Sequence, residues 1–169
     1  MRGKSHGGVV VARCGDPDNA EGMKELQKAH GDRLCVLRVD ANDEASMKAA
    51  AATVEREFGR LDFMANVSAV LSEGKMRPET SIARTEAENM VESYRVNALG
   101  PTMMMKHFSP LMLKTAELNL AGNAHVPVIA NWSARVSSIG DNALGGWHSY
   151  RASKTALNQL TRNCSIEFA

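Results

Sequence analysis

Apolar positions along this chain follow two rhythms. Short, mostly apolar runs at Val9 to Arg13, Leu34 to Val39, Leu61 to Asn66 and Val126 to Trp132 are flanked by turn residues. Runs of that length predict buried strands of a parallel sheet. Between them the apolar positions recur at helical spacing. Met23, Leu26 and Ala29 predict a helix that ends near Gly31. Asp43 reads as the N-cap of an alanine-rich helix running to about Phe58 and closed by Gly59. A turn is expected at Gly15-Asp16-Pro17-Asp18, and a loop over Ser72 to Glu79, which holds Gly74 and Pro78. A long helical region runs from about Arg84 to Leu118. It is interrupted near Gly100-Pro101, because Pro101 has no N–H to donate. Glu117 to Ala124 is read as loop, and His148 to Phe168 as the last helix. Strands alternating with helices predict an α/β fold with a parallel sheet covered by helices.

Composition narrows the function classes. A chain of 169 residues is about one domain with room for a core. Lys and Arg total 20 against 19 Asp and Glu, so no nucleic acid or acidic membrane is expected as a partner. No apolar run reaches the ~18 residues of a membrane span. The opening Met1-Arg2-Gly3-Lys4-Ser5-His6-Gly7-Gly8 lacks the pattern of a secretory signal. Cys14, Cys35 and Cys164 are odd in number and widely spaced. They are expected to be reduced thiols, and the chain cytoplasmic. No metal site is expected. Met103, Met104, Met105 and Met112 fit a buried helical face better than an adaptable binding surface.

The chemistry concentrates in Trp147-His148-Ser149-Tyr150-Arg151-Ala152-Ser153-Lys154-Thr155-Ala156-Leu157. Tyr150 and Lys154 are four residues apart in a predicted helix, so they share a face. A phenol with an ordinary pKa of about 10 exchanges protons poorly at neutral pH, and an adjacent ammonium favours its ionised form. The pair is therefore a plausible acid/base for a carbonyl or an alcohol. By itself Tyr-x-x-x-Lys equally describes an amphipathic helix with a half-buried tyrosine and a solvated lysine.

The neighbouring segment decides between the two. Asn131-Trp132-Ser133-Ala134-Arg135-Val136-Ser137-Ser138-Ile139-Gly140-Asp141-Asn142, then Gly145-Gly146 and the tyrosine run, closely resemble the short-chain dehydrogenase/reductase family. The branch related to C-factor and to insect carbonyl reductases is the most similar, and the resemblance extends from Val9 to Ala169. It implies a Rossmann-like, three-layer α/β/α parallel sheet and hydride transfer between a nicotinamide and a small carbonyl or alcohol. Tyr150 would be the general acid/base. Lys154 would lower its pKa and hydrogen-bond the nicotinamide ribose. The serine that meets the substrate oxygen stays open between Ser133, retained in the strand-end motif, and Ser137, thirteen residues before Tyr150. Ala134 occupies the usual position of that serine. Val96-Asn97-Ala98-Leu99-Gly100 matches the family's Asn-Ala-x-Gly segment, which makes Asn97 the candidate for holding a relay water behind Lys154. Asp40 matches the aspartate that contacts adenine, and Asn66-Val67-Ser68-Ala69 stands where the family has Asn-Asn-Ala-Gly. Arg13 is the basic residue at the end of the first strand. With it, NADP is preferred and NAD is the alternative.

Two departures shape the expectation. The Thr-Gly-x-x-x-Gly-x-Gly turn that seats a pyrophosphate is not found. Gly3, Gly7 and Gly8 precede the first strand directly, and Gly3-Lys4-Ser5 lacks the upstream glycine of a P-loop. Residues 1–169 are thus read as a single partial Rossmann-type domain, without its first strand, its glycine-rich loop and its last strands. The first strand normally lies centrally, so its loss either forces the Val9 and Leu61 strands together or leaves unpaired edges and exposed apolar faces. The alternative to an oxidoreductase is a catalytically silent homologue that docks onto a complete partner. Self-association into a homo-oligomer is left open. A helical interaction module would explain the methionines but none of the matched segments.

Overall fold

The computed structural model describes residues 8–72, 74, 76–119 and 126–168, with the side chain of Asn119 excepted. The readings placed on Gly3, Lys4, Ser5 and Gly7, and on most of the loop before the fourth strand, lie outside the described residues.

The strands are β1 (Val10–Cys14), β2 (Leu34–Arg38), β3 (Phe63–Asn66) and β4 (Val128–Asn131), each within a few residues of its apolar run. Helix α1 (Glu21–His30) ends at Gly31, whose φ of 52° suits glycine. Helix α2 (Glu44–Phe58) starts where the Asp43 carboxylate accepts from the N–H of Ala45 at 2.9 Å, and it stops at left-handed Gly59. The long helical region is α3 (Ala87–Tyr94), a π-turn over Arg95–Leu99, and α4 (Gly100–Asn119). The interruption expected at Gly100-Pro101 is that π-turn, one step earlier; the backbone stays helical through Gly100, whose N–H bonds the Arg95 carbonyl, and Pro101, with no N–H to donate, follows it. Helix α5 (His148–Glu167) carries Tyr150 and Lys154.

The strands pair as two parallel ribbons. β1 pairs with β2 from Val10 opposite Leu34 to Cys14 opposite Arg38, and β3 with β4 from Phe63 opposite Val128 to Asn66 opposite Asn131. The ribbons are separate sheets, so β1 and β3 do not close onto each other. Of the two outcomes foreseen for a sheet lacking its central strand, the open one occurs. Val10 is 62% exposed, Phe63 58% and Val128 48%, where a doubly covered sheet would bury them.

One apolar cluster still spans both ribbons. Val39, Met47, Ala50 and Val54 from the β2–α2 half meet Met64, Met104, Met105, Phe108, Leu111 and Met112 from the β3–α4 half. The methionines of α4 are core, as their spacing implied; flexible thioethers fill the irregular space between the ribbons. The three cysteines are free and partly buried. No described helix is long and apolar enough to cross a membrane.

Candidate active site

The candidate groups gather where β3 and β4 end and α5 begins. β4 delivers Trp132 and Ser133, β3 delivers Asn66, and α5 crosses behind them. In parallel α/β sheets this carboxyl end is where ligands bind.

Lys154 is 1% exposed. Its Nζ donates to the carbonyl of Trp132 at 2.7 Å and lies 5.9 Å from the centre of the Tyr150 ring. Burial lowers the Lys154 pKa from its ordinary value. Burial also raises that of Tyr150, and no influence of Lys154 offsets it. The expected depression of the Tyr150 pKa is therefore absent in this state: the ammonium is committed to a backbone carbonyl and sits against the ring. Tyr150 keeps its proton, the form needed by an acid.

The two serines are brought together by a residue the sequence reading passed over. Ser133 Oγ donates to Asn158 Oδ1 at 2.6 Å, and Asn158 Nδ2 donates to Ser137 Oγ at 2.7 Å. The serine hydroxyls are 3.3 Å apart, and Ser137 also donates to the carbonyl of Ala134 at 2.5 Å. Asn158 follows Lys154 by four residues, so the step that joins Tyr150 to Lys154 would have reached it. Ser137 is buried, whereas Ser133 is partly open.

Asn97 sits in the π-turn and is fully buried. Its Oδ1 accepts from the N–H of Val70 at 2.7 Å, while its Nδ2 donates to the carbonyl of Val70 at 2.8 Å and to Ser153 Oγ at 3.0 Å. Both amide hydrogens are thus spent, so the side chain has none to offer a relay water. What it does is tie the loop after β3 to α5. Asn66, 2% exposed, donates through Nδ2 to Asn131 Oδ1 at 2.8 Å, and its own buried Oδ1 has no partner. Asn131 in turn donates to Thr161 Oγ1 at 2.9 Å.

The remaining pair lies at the other ribbon. Asp40 makes an Asx turn, its Oδ1 accepting from the N–H of Asn42 at 2.8 Å, and it is exposed. Burial lowers the Arg13 pKa while the charge of Asp40 opposes the shift. Among the described residues no cluster of His, Cys, Asp or Glu could hold a metal ion.

This arrangement can be compared with known proteins. Residues 3–169 match the family model described as enoyl-(acyl carrier protein) reductase. The sex determination protein tasselseed-2 of Zea mays is 33% identical over 165 residues, covering 96% of this chain and 44% of that protein. The short chain dehydrogenase tazN of Aspergillus terreus is 30% identical over 165 residues, with 95% and 33% covered. The NADPH-bound carbonyl reductase from chicken fatty liver superposes with a TM-score of 0.80 at 30% identity, over 95% of this chain and 60% of that one. The carbonyl reductase Sniffer of D. melanogaster reaches a TM-score of 0.85 at 23% identity, a likeness of fold, over 94% and 63%. The chain spans a third to under half of the length of these curated relatives. With the family model matched over nearly its whole length and the Rossmann-like fold shared, the chain belongs to the short-chain dehydrogenase/reductase family.

Proposed function

We propose that this chain is the part of an NADP(H)-dependent oxidoreductase that holds the proton-transfer groups for interconverting a small carbonyl and its alcohol. One observation carries the reading. Lys154 is a wholly buried ammonium one helical turn from Tyr150, held by the Trp132 carbonyl at the end of β4. Burying a cation without a carboxylate partner costs several kcal/mol, so a position tolerating it favours a functional demand.

The residues fit the two ends of a dinucleotide better than its middle. Lys154 and Tyr150 would lie by the nicotinamide ribose, Asp40 by the adenine, and Arg13 would favour a 2′-phosphate. Asn66 contributes a buried carbonyl oxygen left without a donor. No described segment has the glycine-rich turn that would seat the pyrophosphate. The nicotinamide, when bound, supplies or accepts the hydride. This chain's part is the proton: the Tyr150 hydroxyl gives it to the carbonyl oxygen in reduction, and the phenolate takes it back in oxidation. Turned from the Trp132 carbonyl toward the phenol, the ammonium of Lys154 would favour the phenolate that reduction leaves behind. Ser133 or Ser137, both held by Asn158, is the candidate partner of the substrate oxygen; donating to it would require the Ser133 hydroxyl to turn from Asn158 Oδ1 or the Ser137 hydroxyl from the Ala134 carbonyl, and Ser133 is the more accessible. Asn97 supports the site by locking the loop after β3 onto α5.

A second reading has its own observation. The two ribbons remain apart with apolar strand residues exposed, which suits a silent homologue that docks onto a complete partner. Calorimetric titration with NADPH and NADH, with circular dichroism as the folding check, separates them. Saturable binding supports the oxidoreductase. A folded chain that binds neither supports the silent homologue.

A further inference from the structure

Helix α5 starts without a cap of its own. Its N-cap is Trp147, which makes no side-chain capping bond and has a φ of 52°, the one positive φ outside glycine among the described residues. A bulky residue in that conformation persists only when its surroundings hold it there. The N–H groups of a helix start need acceptors, and here they come from 70 residues upstream. The carbonyl of Glu79 accepts from the N–H of Trp147 at 2.6 Å, and its Oε2 accepts from the N–H of Ser149 at 3.3 Å. Its Oε1 also accepts from the hydroxyl of Ser149. Glu79 is 5% exposed and Ser149 4%. Gly146 packs so tightly here that a Cβ on it would come within 3.2 Å of the Glu79 carbonyl oxygen. Burial pushes the Glu79 carboxyl up, but the bonds from Ser149 and its own backbone N–H, with His148 nearby, pull further the other way and keep it ionised. A carboxylate suits the positive end of a helix.

We propose that Glu79 is the positioning residue for Tyr150, a clamp from the loop before α3 that fixes the first turn of α5. The residues it grips bracket the phenol: Ser149 precedes it, and the Trp147 ring meets it edge-on with centres 6.3 Å apart. Beside His148, which acts on the Glu79 carboxylate, the cations nearest this turn are engaged elsewhere. Arg151 donates to the carbonyls of Gly146 and Val136, and Lys154 to that of Trp132. The importance of the clamp for turnover rests on the role proposed for Tyr150; the clamp itself can be tested without turnover.

The chain has two tyrosines, Tyr94 and Tyr150. Subtracting the phenolate absorbance of the Tyr150→Phe variant from that of the parent therefore isolates the titration of Tyr150. In Glu79→Ala the first turn of α5 frays, water reaches the ring, and the midpoint falls toward the ordinary value of about 10. Glu79→Gln, which keeps an acceptor, recovers at least half of that shift. Adding Ser149→Ala to Glu79→Ala moves it no further, because both act through one contact. A merely structural Glu79 would lower the melting temperature and leave the Tyr150 midpoint in place, and that result overturns the proposal. Should Glu79→Ala fail to fold, Ser149→Ala decides: a smaller downward shift supports the clamp, and no shift overturns it. A shift in a protein that binds no nicotinamide would retain the clamp and sink the oxidoreductase reading instead.

Discussion

Tyr150 and Lys154 show how one spacing in the sequence can carry two different electrostatic outcomes. The four-residue step does place both on one face of α5. Yet a buried lysine needs acceptors, and the nearest is the Trp132 carbonyl rather than the phenol oxygen. Burial therefore dominates the phenol and raises its pKa. The sign for activity follows. Burial keeps the phenol protonated beyond its ordinary range, so carbonyl reduction should hold through neutral pH and fall as pH rises through the Tyr150 midpoint. Alcohol oxidation, which needs the phenolate, should rise over the same range. Opposite limbs in the two pH–rate profiles check this. Tyr150→Phe should cut turnover about a hundred- to ten-thousand-fold while circular dichroism stays unchanged. Retained turnover in that variant would sink the assigned role.

At the scale of elements, the site depends on joints between segments far apart in the chain. Asn97 is the clearest. Asn97→Ala would leave the N–H and carbonyl of Val70 unpaired in a buried place and remove the bond to Ser153. Losing these should destabilise the protein by roughly 3 kcal/mol, read as a lower urea midpoint at unchanged slope. Helix capping is a smaller and separable joint. Asp43→Ala removes the capping bond from the N–H of Ala45 at the start of α2 and should cost about 1 kcal/mol. The boundary of α2 was legible from Asp43 and Gly59 because caps are local chemistry. The interruption near Pro101 was legible from its missing N–H, but its form, a π-turn over Arg95–Leu99 that holds Asn97 against Val70, was not, since nothing in that stretch breaks helical periodicity.

For the whole molecule, the decisive feature is the gap between the ribbons. A cleft of about 330 Å³ lies between α4, β4 and α5, lined by Met105, Met112, Ile129, Asn131 and Cys164, but it contains neither Tyr150 nor Lys154. Together with Val10, Phe63 and Val128 it makes the surface more apolar than a closed sheet would. Phe63→Lys should therefore reduce concentration-dependent association in sedimentation velocity and shift the melting temperature by only a few degrees. Association unaffected by that change would place the sticky surface elsewhere.

The sequence by itself determined the order and approximate extent of the strands and helices, the caps of α2, the buried methionine face, and the company of Tyr150 with Lys154. Each is set by residues near one another in the chain, through periodicity, turn chemistry or a motif. Tertiary structure alone decided that the sheet stays open, that Lys154 bonds the Trp132 carbonyl, that Asn158 joins Ser133 to Ser137, and that Glu79 holds the start of α5. These are meetings of groups up to 70 residues apart, made where burial favours a partner for each polar atom. Local pattern carries no record of which distant atom that partner will be.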